Sequence, residues 1–78
     1  MELKIYSPEE TLVEATVENV TLPGVLGSFQ VLKGHAALIT ALGTGPVKYT
    51  ENGEVKTLPV STGFAKVESD VVTVCIEQ

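Results

Sequence analysis

Only a handful of side chains in this sequence could take part in chemistry. His35 is the sole histidine and Cys75 the sole cysteine. Nucleophilic catalysis needs a nucleophile, a base within hydrogen-bond reach and usually a third group to orient the base. No spacing around His35 supplies that set, and a local hydrogen bond at a turn beginning near Gly34 is the plainer expectation. Cys75 has no basic neighbour in sequence to lower its thiol pKa, so an inert packing thiol is expected. Glu9 and Glu10 are adjacent carboxylates, but they follow Ser7-Pro8 and read as a solvated corner. Gly24-Val25-Leu26-Gly27 and Gly43-Thr44-Gly45-Pro46 are glycine-containing loops. Neither carries the lysine of a phosphate-binding loop or opens a helix. The residues point away from an enzyme, from any cofactor, and from a Cys/His metal site.

The remaining composition narrows the class. Seventy-eight residues allow one domain, spanning 1–78. A single cysteine rules out a disulfide within the chain and suits a reducing compartment. Ten acidic residues against five lysines, with no arginine, give a net charge of −5. Nucleic-acid binding rests on neutralising phosphates, so such a chain is a poor candidate for it, and an anionic lipid surface is disfavoured likewise. No apolar run follows a basic start, and none approaches the roughly 20 residues of a spanning helix. The expectation is a cytoplasmic domain without signal peptide or membrane insertion.

The elements that must position these residues read as strands. Leu3 and Ile5 alternate with Glu2, Lys4 and Tyr6, and Val13, Ala15 and Val17 alternate with Glu14, Thr16 and Glu18. That period of two marks half-buried strands. Val20 and Leu22 lead to the turn pair Pro23-Gly24, and Phe29 and Val31 alternate with Ser28 and Gln30. Val47 and Tyr49 alternate with Lys48 and Thr50 before Asn52-Gly53. That dipeptide predicts a type I′ hairpin with residues 55–60 as the returning strand. Phe64–Val67 and Val71–Ile76 form a final hairpin about Ser69-Asp70, with Val72, Val74 and Ile76 pointing inward. Together these predict an all-β fold, a small antiparallel β-sandwich of about 8–10 short strands. At most one short helical turn is expected, near Gly34–Leu38.

Charge is unevenly placed. From Asn19 to Val47 the only charged side chain is Lys33, and within Ala36–Leu42 every residue but Thr40 is apolar. The plain reading is a central core strand. The other reading is that a domain with so thin a core leaves part of this segment exposed for a protein partner, since depleted charge marks the centre of an interface.

Several blocks also carry a family likeness. Val20-Thr21-Leu22-Pro23-Gly24, Gly27, and Val31-Leu32-Lys33-Gly34-His35-Ala36-Ala37-Leu38-Ile39-Thr40 resemble the N-terminal β-sandwich of the epsilon subunit of F-type rotary ATP synthases. Pro59-Val60-Ser61-Thr62-Gly63-Phe64-Ala65-Lys66-Val67, Val72-Thr73-Val74 and the opening Leu3–Glu9 fit the same pattern in the same order, so the likeness spans essentially the whole chain. The departures are Lys33 and Ala37 where the family has prolines, Ser28 where an acidic residue is common, Gln30 for a glycine, and Thr62 for one glycine of a pair. Lys33 and Ala37 leave the turn less rigid than prolines would.

The resemblance implies a non-catalytic central-stalk subunit of a hydrolase complex that couples proton or sodium transport to ATP synthesis. Its partners would be the gamma subunit and the c-ring, with the domain peripheral on the cytoplasmic side of a bacterial inner membrane. It places Gly27, Ser28, Phe29 and His35 toward the c-ring, and Ser7, Thr40, Ala41 and Leu42 toward gamma. For Phe29 and Leu42, core packing is the competing reading. On the interface assignment, Leu42→Asp weakens gamma binding and leaves the domain folded. The family usually continues into two C-terminal helices that can inhibit ATP hydrolysis, and this chain, ending at Gln78, is expected to lack that inhibition. Free in solution, the domain is expected to be a monomer or weakly self-associating. A free-standing β-sandwich adapter or small-ligand carrier is the alternative.

Overall fold

Alternation of apolar and polar residues becomes alternation of faces in the computed structural model, which describes residues 1–77. Nine strands account for most of these residues: β1 (Glu2–Tyr6), β2 (Thr11–Thr16), β3 (Asn19–Gly24), β4 (Gly27–Leu32), β5 (Leu38–Leu42), β6 (Gly45–Glu51), β7 (Glu54–Val60), β8 (Thr62–Glu68) and β9 (Val71–Glu77). The fold is all-β, and no helix occurs among the described residues.

The strands form one continuous sheet in the order β2-β1-β9-β8-β5-β3-β6-β7, with β4 added on β3. It curls into two layers. One layer runs from β2 to β5, the other from β4 through β3 and β6 to β7. A single pairing, Gly24 on β3 with Leu42 on β5, joins them at the corner. The thinnest extent of the backbone is 18 Å, enough for two sheets about 10 Å apart and no third layer.

Between the layers lies one apolar cluster. Leu3, Ile5, Ala65, Val67, Val72, Val74 and Ile76 meet Val20, Leu22, Val31, Val47, Tyr49 and Val60. No charged side chain is buried among the described residues. The inward set Val72, Val74 and Ile76 is as expected, with none above 3% exposure. The Asn52-Gly53 turn adopts φ of 52° and 76°, the pair of positive values a type I′ turn requires.

One detail of the expected arrangement is corrected. The sandwich is not purely antiparallel, because β1 and β9 pair in parallel, with Leu3 opposite Val72 and Ile5 opposite Val74. The expectation of at most one short helical turn near Gly34–Leu38 is met with none: residues 33–37 contain a turn at Lys33-Gly34. Gly34 has φ of +83°, which lies outside the right-handed helical region.

Candidate interaction surfaces

Within one layer, directly paired residues share a face, so register alone builds the first surface. Ala41 on β5 lies opposite Phe64 on β8, Phe64 opposite Cys75 on β9, and Cys75 opposite Tyr6 on β1. All four project from the outer face because their strand neighbours point inward. Phe64 stands 52% exposed between Gly63 and buried Ala65, and Ile39, one step along β5 from Ala41, is 73% exposed. The result is an apolar row crossing four strands. It borders an open groove lined by Ser7, Pro8, Thr62 and Glu77 along with Tyr6, Phe64 and Cys75. The next row begins at Ile39 and is polar beyond it: Ile39 faces Lys66, Lys66 faces Thr73, and Thr73 faces Lys4.

The second surface is β4 with its flanking loops. This strand pairs only with β3, which leaves its other edge open. Gly27, Ser28, Gln30 and Leu32 are exposed, Val31 is buried, and Phe29 is half-buried against the core. Val25 and Leu26 form the tip of the β3–β4 hairpin, and Leu26 is fully exposed. The tip is tied to β5 by the Val25 amide donating to the Ala41 carbonyl at 3.2 Å and the Gly43 amide donating to the Pro23 carbonyl at 2.8 Å. Gly24 permits this close hairpin, since a Cβ there would come within 2.8 Å of the Gly27 carbonyl oxygen.

At the far end of β4, the His35 amide donates to the Leu32 carbonyl at 3.1 Å. The His35 Nδ1 donates to the Ala36 carbonyl at 2.7 Å. The ring thus holds its own loop in place and engages no hydroxyl nucleophile, consistent with a local structural bond.

The expected site residues are redistributed by these two faces. Gly27, Ser28 and Phe29 gather at the hairpin end of β4, whereas His35 sits beyond the other end of a strand roughly 17 Å long. Ser7 and Ala41 lie with the apolar row. Thr40 turns to the opposite side of β5, where with Leu38 it lines an open groove shared with Gly27, Ser28 and Phe29. Leu42 requires correction as a partner-facing residue. It is 2% exposed and belongs to the core, because it occupies the inward parity of β5 at the corner between the layers. Of the segment Ala36–Leu42, only Leu42 is buried, while Ala36, Ala37, Ile39 and Ala41 are exposed. Ile39 and Phe64 were not among the expected contacts. Their signal was available in the alternation of each with an inward neighbour.

Electrostatics add little at either face. Lys56, on the β6–β7 hairpin and part of neither surface, has its pKa raised first by its hydrogen bond to Glu51 at 2.9 Å and then by that carboxylate's charge. Among the described residues no group of His, Cys, Asp and Glu side chains is arranged to hold a metal ion.

The likeness to known proteins follows the same architecture. The profile of the ATP synthase delta/epsilon chain β-sandwich domain matches residues 1–78. The ATP synthase epsilon chain of Koribacter versatilis is 41% identical over 97% of this chain and 54% of its own length. That of Magnetococcus marinus is 37% identical over 100% of this chain and 57% of its own. The chain therefore spans about half the length of the curated relatives it matches. In fold, it superposes with a TM-score of 0.91 on a chain of the Euglena gracilis mitochondrial ATP synthase OSCP/F1/c-ring structure, at 24% identity over 97% of this chain and 49% of that one. A chain of the Tetrahymena thermophila mitochondrial ATP synthase central stalk and c-ring gives 0.83 at 18% identity, over 99% of this chain and 63% of that one. With its whole length matched by the family profile, the chain belongs to the ATP synthase delta/epsilon-chain β-sandwich family.

Proposed function

We propose that this domain is the β-sandwich of an ATP synthase epsilon chain and serves as a non-catalytic rotor-stalk module. In this reading the outer face of β5, β8, β9 and β1 seats the gamma subunit. The open side of β4, with Gly27, Ser28, Phe29 and His35, meets the c-ring. The observation that carries it is the apolar row Ala41–Phe64–Cys75–Tyr6 on the outer face, with Ala41 and Phe64 exposed and Cys75 and Tyr6 half-buried, on a domain whose net charge is −5. Exposed apolar area on a small acidic domain is accounted for by a protein partner that covers it. The central stalk and c-ring named for the Tetrahymena neighbour supply the chemistry of such partners.

The role is mechanical. A sandwich with one continuous apolar core deforms little under load, because close-packed interiors have low compressibility. Torque applied at one surface is passed to the other without a covalent step. The domain would lie peripherally on the cytoplasmic side of a bacterial inner membrane, coupling ion transport to ATP synthesis. A small-ligand carrier is the weaker reading, since the grooves described above open broadly to solvent and offer no enclosed container. A tagged full chain expressed in its own cells tests the proposal: stoichiometric co-purification with the gamma subunit and c-ring is expected. Recovery of the chain alone would overturn it.

A further inference from the structure

The β4–β5 loop has an anchor that lies outside the loop itself. Residues 33–37 contain no proline, the residue that would fix φ from within. Gly34 adds freedom at the centre: it takes φ of +83°, and a Cβ there would meet nothing within 4 Å. The loop's other hydrogen bonds are local, from His35 back to Leu32 and from the His35 ring to Ala36. Among the described residues, one hydrogen bond ties residues 33–37 to a distant element. The Gly34 amide donates to Asp70 Oδ1 at 2.8 Å, across 36 positions of sequence.

The acceptor is itself rigidly held. Ser69 and Asp70 form the two-residue turn between β8 and β9, closed by the Glu68–Val71 pair. Their φ values are 51° and 60°, a left-handed pair that Asp tolerates well. The Asp70 carbonyl also accepts the Glu2 amide at 2.9 Å, which fixes the start of β1. One residue thus joins the first strand, the core hairpin and the β4–β5 loop.

We propose that Asp70 is the positioning residue of the Gly34–His35 loop, its side-chain oxygen setting where His35 is presented. The consequence for a partner rests on the functional reading given above, in which His35 meets the c-ring. The positioning itself does not.

The test uses the full protein chain and two substitutions at one site. Asp70→Gly removes the acceptor while relieving the left-handed turn, and Asp70→Asn keeps Oδ1. Amide hydrogen exchange followed by NMR should show Gly34 exchanging on the order of ten-fold faster in Asp70→Gly. Its rate should stay near wild type in Asp70→Asn, with the Val74 amide unchanged in both. Wild-type exchange at Gly34 in Asp70→Gly would overturn the proposal. So would equal acceleration by both variants, or acceleration of Val74 together with Gly34. Binding of the same chains to purified c-ring then reads the consequence. Weakening by Asp70→Gly and by His35→Ala, with Asp70→Asn near wild type, supports it. Wild-type binding by His35→Ala would sink the c-ring reading of this loop, while the exchange result would still decide whether Asp70 positions it.

Discussion

Ala41 on β5 and Phe64 on β8 are directly paired, with both side chains on the outer face of the sandwich and Phe64 52% exposed. The neighbours of Phe64 at 65 and 67 are buried, so one strand carries both a core face and an open apolar face. Phe64→Ala should therefore change the unfolding free energy by under about 1 kcal/mol in urea denaturation. Val67→Ala on the same strand should cost more than that, because it opens a cavity in the core. Equal costs would mean that Phe64 stabilises the fold and is not held in reserve for a partner.

Leu42 behaves as a core residue in this structure, contrary to its expected place at an interface. Leu42→Ala should destabilise the domain by about 2–5 kcal/mol. That is a large share of the total for a chain this short, given about 0.05–0.15 kcal/mol per residue. Leu42→Asp would bury an unpaired charge and should unfold the domain, as read by loss of the cooperative thermal transition. A folded Leu42→Asp domain would return Leu42 to the surface.

The register of the final hairpin depends on a close approach. Gly63 faces Ile76, and a Cβ at position 63 would overlap the Cys75 carbonyl oxygen and lie 3.0 Å from the Ile76 Cα. Both are main-chain atoms that cannot step aside. Gly63→Ala should cost about 1–3 kcal/mol or more. Gly43→Ala, whose Cβ would first meet Val25 at 3.8 Å, should stay within about 0.5 kcal/mol. Thermal melts of the two variants side by side decide this.

Much of this architecture is legible in the sequence because it is local. Alternation shows which residues of β1, β6 and β9 point inward, and Asn52-Gly53 announces its hairpin. Alternation is blind to partner and direction, so the parallel pairing of β1 with β9 is invisible in it. The Gly24–Leu42 corner and the Asp70–Gly34 bond are single contacts between distant segments and leave no periodic trace. The resemblance places Leu42 toward gamma with core packing as the competing reading, and the period of β5 shows two faces without saying which one the core claims. Phe64 was readable, since Ala65 and Val67 are natural inward residues and Phe64 takes the other parity.

Lys56 offers a pH test. Its folded pKa lies above 10.5, raised by Glu51, so the pair's contribution is fully present below 10.5 and is lost as pH rises through the higher folded value. Lys56→Gln should lower stability at neutral pH slightly and shrink the alkaline loss by the same small amount, because the pair is exposed and solvent-screened. Alkaline melting curves of the two proteins check it. An undiminished loss in the variant would place its origin elsewhere.

The most direct measurement is titration of the full protein chain against purified gamma subunit, comparing wild type with Phe64→Asp and with a charge placed on β7 by Val55→Asp. Both positions are exposed, Val55 at 66%, and both variants should remain folded. Wild type and Val55→Asp should bind alike with one-to-one stoichiometry, and Phe64→Asp should bind at least about 30-fold more weakly, as loss of a central apolar anchor predicts. Undiminished binding by a folded Phe64→Asp chain, or no binding by wild type, would contradict the assignment of the β5–β8–β9–β1 face to gamma.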